Sequence, residues 1–588
     1  MSLACLFAAH LCGCSEEVTP ATGAQTARVG TSSLASPEPA QGLDAGADGW
    51  STESLGEMAK ERLTEIFELK GPLNGDLLAS YCAADAQIHH LYPPERQAVR
   101  DRDGFRVMRA KQSASIGARG PVALADALLA LSSPFDSPPR VQLKTTGVKL
   151  AGASSGVTRI LYQAFGVSSK RPYQQTGDWQ VTWNTLNDQI LHIESISYEE
   201  LSGPPSGSPL FIESTLGVFK GEEESAEQFI PSLSHLASSM DSAAGPQINS
   251  FEGVAVGDVN GDGREDVFFS QATGLPNKLY LHQPDGTLRD ASKAAGVDML
   301  AQTTASLIVD LDGDGDQDLI TSGASLMFFE NKGNKDSSEA ETLTPQFARR
   351  LELDIKSTYS LTAADYDLDR DLDLYLCRYN DTQSTVPTPY HDANNGPPNL
   401  LLRSDGPWTY TDATEESGLN HNNTRYSFAA SWSDFDSDGD QDLYVANDFG
   451  RNNLYENREG RFIDIAAALG VEDISAGMSA DWGDPDSDGD YDIYIGNMYS
   501  AAGNRIAFQR QFRPDASEET LATLKRHARG NTLFLQGKDS FTDASIDSGV
   551  TMGRWSWCSR FLDIDNDSLE DLVVLNGNIT SDDATHDL

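Results

Sequence analysis

The chain has 588 residues, a formal net charge of −46 and a sequence pI near 4.4. That length exceeds one ordinary domain. So acidic a balance argues against binding nucleic-acid phosphates or anionic lipid surfaces, both of which call for basic residues.

Residues 1–14 end in Leu11-Cys-Gly-Cys14 and are apolar, but too short to span a bilayer. This run resembles the end of a bacterial lipoprotein signal. The resemblance implies Cys14 as the lipidated residue and an extracytoplasmic place at the envelope or cell surface, with membrane contact only through that anchor. An ordinary cleaved signal is the alternative. Residues 15–48 are rich in Ala, Gly, Ser, Thr and Pro without apolar periodicity, as in a flexible tether. The six cysteines show no C-x-x-C spacing, so free thiols are expected and no disulfide is assigned.

Residues 50–200 predict a small α+β domain. Ser54 and Glu57 have capping-box spacing, and Leu55, Met58, Ala59, Leu63, Ile66 and Phe67 share one helical face. Strands are expected over 141–150, 157–167, 179–183 and 190–197. Gly177-Asp-Trp-Gln-Val-Thr-Trp183 and Ile190-Leu-His-Ile-Glu194 resemble the nuclear-transport-factor or SnoaL-like cone. That fold can enclose a pocket, which makes Asp85, His89, His90 and His192 acid–base candidates, against an adapter without chemistry. No Ser-His-Asp grouping, P-loop or zinc motif is visible.

Residues 201–250 read as a linker (Gly203-Pro-Pro-Ser-Gly-Ser-Pro209) and a helix over 224–240. Beyond it, one nine-residue aspartate loop recurs six times between 258 and 571, at intervals of about 50 to 80 residues. Its odd positions are Asp258, Asn260, Asp262, Arg264 and Asp266; Asp310, Asp312, Asp314, Asp316 and Asp318; Asp365, Asp367, Asp369, Asp371 and Asp373; Asp434, Asp436, Asp438, Asp440 and Asp442; Asp484, Asp486, Asp488, Asp490 and Asp492; and Asp563, Asp565, Asp567, Leu569 and Asp571. Carboxylate or amide oxygens at positions 1, 3, 5 and 9, with the backbone carbonyl at position 7, can wrap Ca²⁺ at about 2.3–2.6 Å. Mg²⁺ fits less well, because it demands tight octahedral geometry. An EF-hand is excluded: position 12 is never Glu, and β-prone runs rather than helices flank each loop.

A longer repeat surrounds the loops. A strand of the Asn-x-Leu-Tyr type follows (Asn277 to Tyr280, Asn399 to Leu402, Asn453 to Tyr455, Asn531 to Phe534), then a Gly turn and an aromatic-x-Asp stretch. Four short strands at this period read as propeller blades. The repeats resemble FG-GAP/VCBS repeats, the integrin-α-like blades with a Ca²⁺ loop between the first two strands, and the bacterial relatives of cartilage acidic protein. Leu443-Tyr-Val-Ala-Asn-Asp-Phe-Gly-Arg-Asn-Asn-Leu-Tyr-Glu-Asn457, Ala476-Gly-Met-Ser-Ala-Asp481 and Trp555-Ser-Trp557 carry the likeness. It implies an all-β propeller of six to seven blades over 251–588, preceded by the α+β cone. The last repeat shows two strands, so either residues 209–250 close the ring or the chain is a fragment.

Two loops depart from the pattern. Arg370 and Ser568 occupy position 6, where Gly suits a positive φ, so the loops at 365 and 563 are expected to be weaker or differently shaped. An insertion over 501–530, locally basic and helical near 518–527, reads as a cap on a propeller face or a contact for an acidic partner, with local ion pairing as the alternative. The functional expectation is a calcium-binding adhesion module for a protein or polysaccharide. The alternatives are an enzyme acting through the N-terminal cone and a structural component of an envelope complex.

Overall fold

The computed structural model describes residues 50–69, 72–102, 104–111, 116–152, 154–204, 214–222, 253–333, 344–379, 386–509, 511–564 and 566–576. Cys14, the tether, the helix expected over 224–240 and Asp565 lie outside these residues. The described parts of 1–212 and 501–521 form one compact unit, and those of 213–500 and 522–588 another.

The first unit is α+β. Helices Ser51–Glu68 and Gly120–Ser132 contribute to one apolar core with an eight-stranded sheet. Its long antiparallel strands are Arg140–Leu150, Ser155–Ser168, Arg171–Asn184 and Gln189–Ser202. Leu55, Ala59, Leu63 and Ile66 form the buried stripe of the first helix. The expected capping box does not form, because this helix starts at Ser51 with Trp50 as N-cap, which leaves Ser54 inside its first turn.

Strand Arg171–Asn184 begins eight residues earlier than expected, since its first half is polar. Alternation still governs it: Tyr173, Gln175, Trp179, Val181 and Trp183 point inward. Gln175 is tolerated there because its amide donates to Leu131 O at 3.0 Å and accepts from Tyr162 Oη at 3.2 Å. Tyr162 stacks on Trp179 with ring centroids 4.6 Å apart, and Phe67 stacks on both. Glu200 is buried and accepts from Tyr173 Oη at 2.5 Å and Tyr198 Oη at 2.8 Å.

The insertion forms helices Ala501–Ala507 and Glu518–Arg529. Three of its basic residues make internal ion pairs, in line with the local-pairing alternative. Arg505 meets Glu53 within the first unit, at 3.1 and 2.7 Å. Within the second unit, Arg526 pairs with Asp473 and Asp543, and Arg529 pairs with Asp543.

The second unit is a series of antiparallel sheets. Sheet 1 comprises Val254–Gly257, Asp266–Phe269, Lys278–His282 and Leu288–Asp290. Sheets 2 to 5 open on Thr303–Val309, Thr358–Ala364, Ser427–Ser433 and Gly477–Gly483, and each is a four-stranded meander. Sheet 6 pairs Ser556–Leu562 with Asp571–Asn576. The opening strands of successive sheets pack side by side.

In sheets 2 to 6 the opening strand carries a bulge after its first residue, which sets Thr304, Tyr359, Phe428, Met478 and Trp557 out of register. Phe428 of sheet 4 lies 5.6 Å from Trp557 of sheet 6, centroid to centroid, and 6.1 Å from Tyr359 of sheet 3. The described part of the preceding segment, residues 214–222, is a short helix (Thr215–Val218) followed by Phe219 against Tyr280, and contributes no strand.

Candidate metal centre

Each aspartate loop joins the first and second strands of its sheet, and position 9 opens the second strand in all six. Asp and Asn bend the chain by accepting hydrogen bonds from nearby backbone N–H groups. Position 1 does this at every loop: its Oδ2 accepts from the N–H of position 6, at 2.8 Å for Gly263, 3.0 Å for Gly315, 2.9 Å for Arg370, 3.1 Å for Gly439 and Gly489, and 2.8 Å for Ser568. Position 5 accepts from the N–H of position 7 in all six.

Two positions in every loop are left-handed. Position 6 runs from φ +68° at Ser568 to +101° at Gly439, and Arg370 stands at +78°. Position 4 is also left-handed, including Leu368 at +61°, Ser437 at +60°, Ser487 at +59° and Asn566 at +57°. The loop at 365 therefore keeps the common shape, so of the two alternatives expected for it, a different shape does not hold. Its departure is local strain at Leu368 and Arg370.

In the first five loops position 9 is the buried anchor. Its Oδ1 accepts from the third strand, at 2.8 Å from the N–H of His282, Asn331, Ser404 and Asn457, and 2.7 Å from Gln536. Its Oδ2 accepts from the N–H of position 2, as with Val259 to Asp266 at 3.2 Å and Leu311 to Asp318 at 2.9 Å. Burial pushes Asp318 up to about 6, Asp266, Asp373 and Asp492 to about 7 and Asp442 to about 8, and neighbouring aspartates add repulsion in the same direction. A divalent cation would relieve both effects.

In four loops, oxygens of three carboxylates come within 4.8 Å of one another: Asp310, Asp312 and Asp318; Asp365, Asp367 and Asp373; Asp434, Asp436 and Asp442; Asp484, Asp486 and Asp488. Such a hard, anionic oxygen set suits Ca²⁺. In the fifth loop Asp492 adds a buried Oδ2 that finds no hydrogen-bond partner. Asp440 has a buried Oδ1 in the same condition.

The first loop differs. Asn260 replaces one carboxylate, and the Arg264 guanidinium sits on Asp262 at 2.6 Å, so a side-chain cation neutralises position 5 from within. In the last loop Asp563, Asp567 and Asp571 keep the shared hydrogen bonds.

The sequence placed an Asn at the head of four of the third strands but did not show what its side chain does. The Asn ahead of the third strand closes a hairpin: Asn277 accepts from Gln271 N at 2.9 Å, Asn399 from Arg378 N and Asn531 from Asn497 N, both at 2.8 Å. In sheet 4 that role belongs to Asn452, bonded to Asn447 N at 2.8 Å, rather than to Asn453. A two-residue offset from the following Leu identifies it.

In the first unit, His89 and His192 come together with ring centroids 5.1 Å apart. Asp85 and His90 are exposed, whereas His89 is buried. Desolvation, then the neighbouring His89, hold His192 below the usual imidazole range.

Two stretches, residues 258–321 and 434–495, match the FG-GAP-like repeat family. They coincide with the loops and following strands of sheets 1 and 4, and reach into sheets 2 and 5. No curated protein matches the chain. No described helix is long and apolar enough to cross a membrane.

Proposed function

We propose that this protein is an exported calcium-binding β-propeller whose FG-GAP-like repeats serve as a binding or adhesion module for a protein or polysaccharide, held at the cell surface through Cys14. The loops at 310, 365, 434 and 484 are its metal centres. The ion ties the first strand of a sheet to its second and, through position 9, to its third. Loss of the ion would leave clustered carboxylates facing one another beside a buried one.

The observation that carries this reading is the convergence of three carboxylates in four separate loops of one shape. FG-GAP-like repeats are in general binding scaffolds, which supports the adhesion role and an extracellular setting. Metal analysis of protein purified with Ca²⁺ tests it. About four or more calcium ions per chain are expected, and a chain that retains none after exposure to millimolar Ca²⁺ would refute the reading.

A further inference from the structure

We infer that Asn457 is a positioning residue that couples the metal loops at 365 and 434, and that its counterparts divide the loops into groups that load together. The inference rests on the metal reading above. Asn457 is buried at the end of the third strand of sheet 4. Its backbone N–H donates to Asp442 Oδ1, the position-9 anchor of its own loop, at 2.8 Å. Its Nδ2 donates to Tyr366 O, position 2 of the loop in the preceding sheet, at 2.8 Å, and to Gln441 O in its own loop at 3.2 Å. Its Oδ1 accepts from Gly460 N at 2.8 Å, so every polar group of the amide is engaged.

Tyr366 N in turn donates to Asp373 Oδ2 at 3.2 Å. The anchors of two neighbouring loops are thus joined through the backbone of Tyr366 and one side chain. Buried and fully satisfied networks of this kind are rigid, so a shift of Asp442 on metal binding reaches Asp373.

The same link recurs where the side chain allows. Asn331 bonds Asp318 through its N–H at 2.8 Å and Val259 O, in the loop of sheet 1, through Nδ2 at 2.8 Å. Gln536 bonds Asp492 at 2.7 Å and Phe435 O, in the loop of sheet 4, at 3.1 Å. In sheet 3 the position belongs to Ser404, whose N–H still reaches Asp373 at 2.8 Å but whose side chain carries no amide to span the gap. The chain of links therefore joins the loops at 365, 434 and 484 and breaks between 310 and 365.

Native mass spectrometry of the full chain across a calcium titration tests this. Coupling of about fivefold between joined loops depletes the partly loaded species. Asn457→Ser copies the side chain that sheet 3 already tolerates. It should leave the maximal number of ions unchanged and raise the partly loaded species at half saturation by up to about 1.6-fold, the value for an isolated pair that loses fivefold coupling. Ser404→Asn should do the reverse and draw the loop at 310 into the group. Superimposable loading ladders for wild type and Asn457→Ser overturn the coupling alone, whereas a wild-type chain that takes up no calcium overturns the metal reading as well. Should Asn457→Ser fail to fold, an unchanged ladder in Ser404→Asn is sufficient to overturn the coupling.

Discussion

Pro485 leaves Asp492 with a buried oxygen that nothing satisfies. In five of the six loops the residue at position 2 donates its N–H to the position-9 carboxylate, as Phe435 does to Asp442 at 3.2 Å. Proline has no N–H to give, and Asp492 Oδ2 remains without a partner. The fifth loop therefore leans more on a cation than its neighbours do.

Replacing Pro485 by Ala restores the missing donor. The calcium-free protein should gain about 1 kcal/mol, read as a higher melting temperature in chelator, with a smaller gain in excess calcium. Equal gains in both conditions would show that the donor is irrelevant to the site.

Calcium removal should destabilise the second unit broadly. A site held at 100 times its Kd contributes about 2.7 kcal/mol, so four sites together exceed the stability of many domains. Calorimetry with and without EDTA should separate a calcium-sensitive transition from an insensitive one belonging to the first unit. A melt indifferent to EDTA contradicts the structural role of the ion.

Arg370→Gly should stabilise the third loop. Arg370 is held at φ +78°, a conformation costing about 1 kcal/mol for a residue with a Cβ. Urea denaturation in calcium should show a gain near that size, reduced by the added freedom of glycine in the unfolded chain. A loss would mean that the arginine side chain contributes more than its backbone strain removes.

His527 makes the second unit acid-sensitive. It is 5 % exposed, and burial holds its pKa down to about 4. The folded imidazole stays neutral while the unfolded one protonates near 6.5, so stability is full above pH 6.5 and falls as pH drops towards 4. The full loss is about 3 kcal/mol. His527→Gln should flatten the wild-type decline between pH 6.5 and 4; parallel curves would assign the acid sensitivity elsewhere.

The core of the first unit concentrates in few rings. Trp179→Ala removes a side chain that is 1 % exposed and stacked on both Tyr162 and Phe67, and should cost about 3–5 kcal/mol. Chemical denaturation monitored in this unit checks it.

The loops were legible because one residue type recurs at fixed intervals in six repeats, which is the pattern that metal ligation would demand. Left-handed position 4 was not, because Leu368 and Ser437 stand where glycine would have signalled it. Strand Arg171–Asn184 hid behind polar residues whose partners, such as Leu131 O, lie far away in sequence. For the basic run in the insertion, composition left an outside partner and local ion pairs both open, since it does not record that Glu53, more than four hundred residues upstream, meets Arg505. The arginine that neutralises Asp262 was visible as Arg264, but its side chain was read only as a spectator at a carbonyl position.

The contact between Phe428 and Trp557 fixes something about this architecture that a linear solenoid lacks. In an open array each unit touches only its immediate neighbours, and lengths drift by whole units through duplication or loss. Here the fourth and sixth sheets meet across the fifth, so deleting or adding one between them would part the two rings. Length added in a connection, as in the long excursion inside the fifth sheet, leaves that contact between rings untouched.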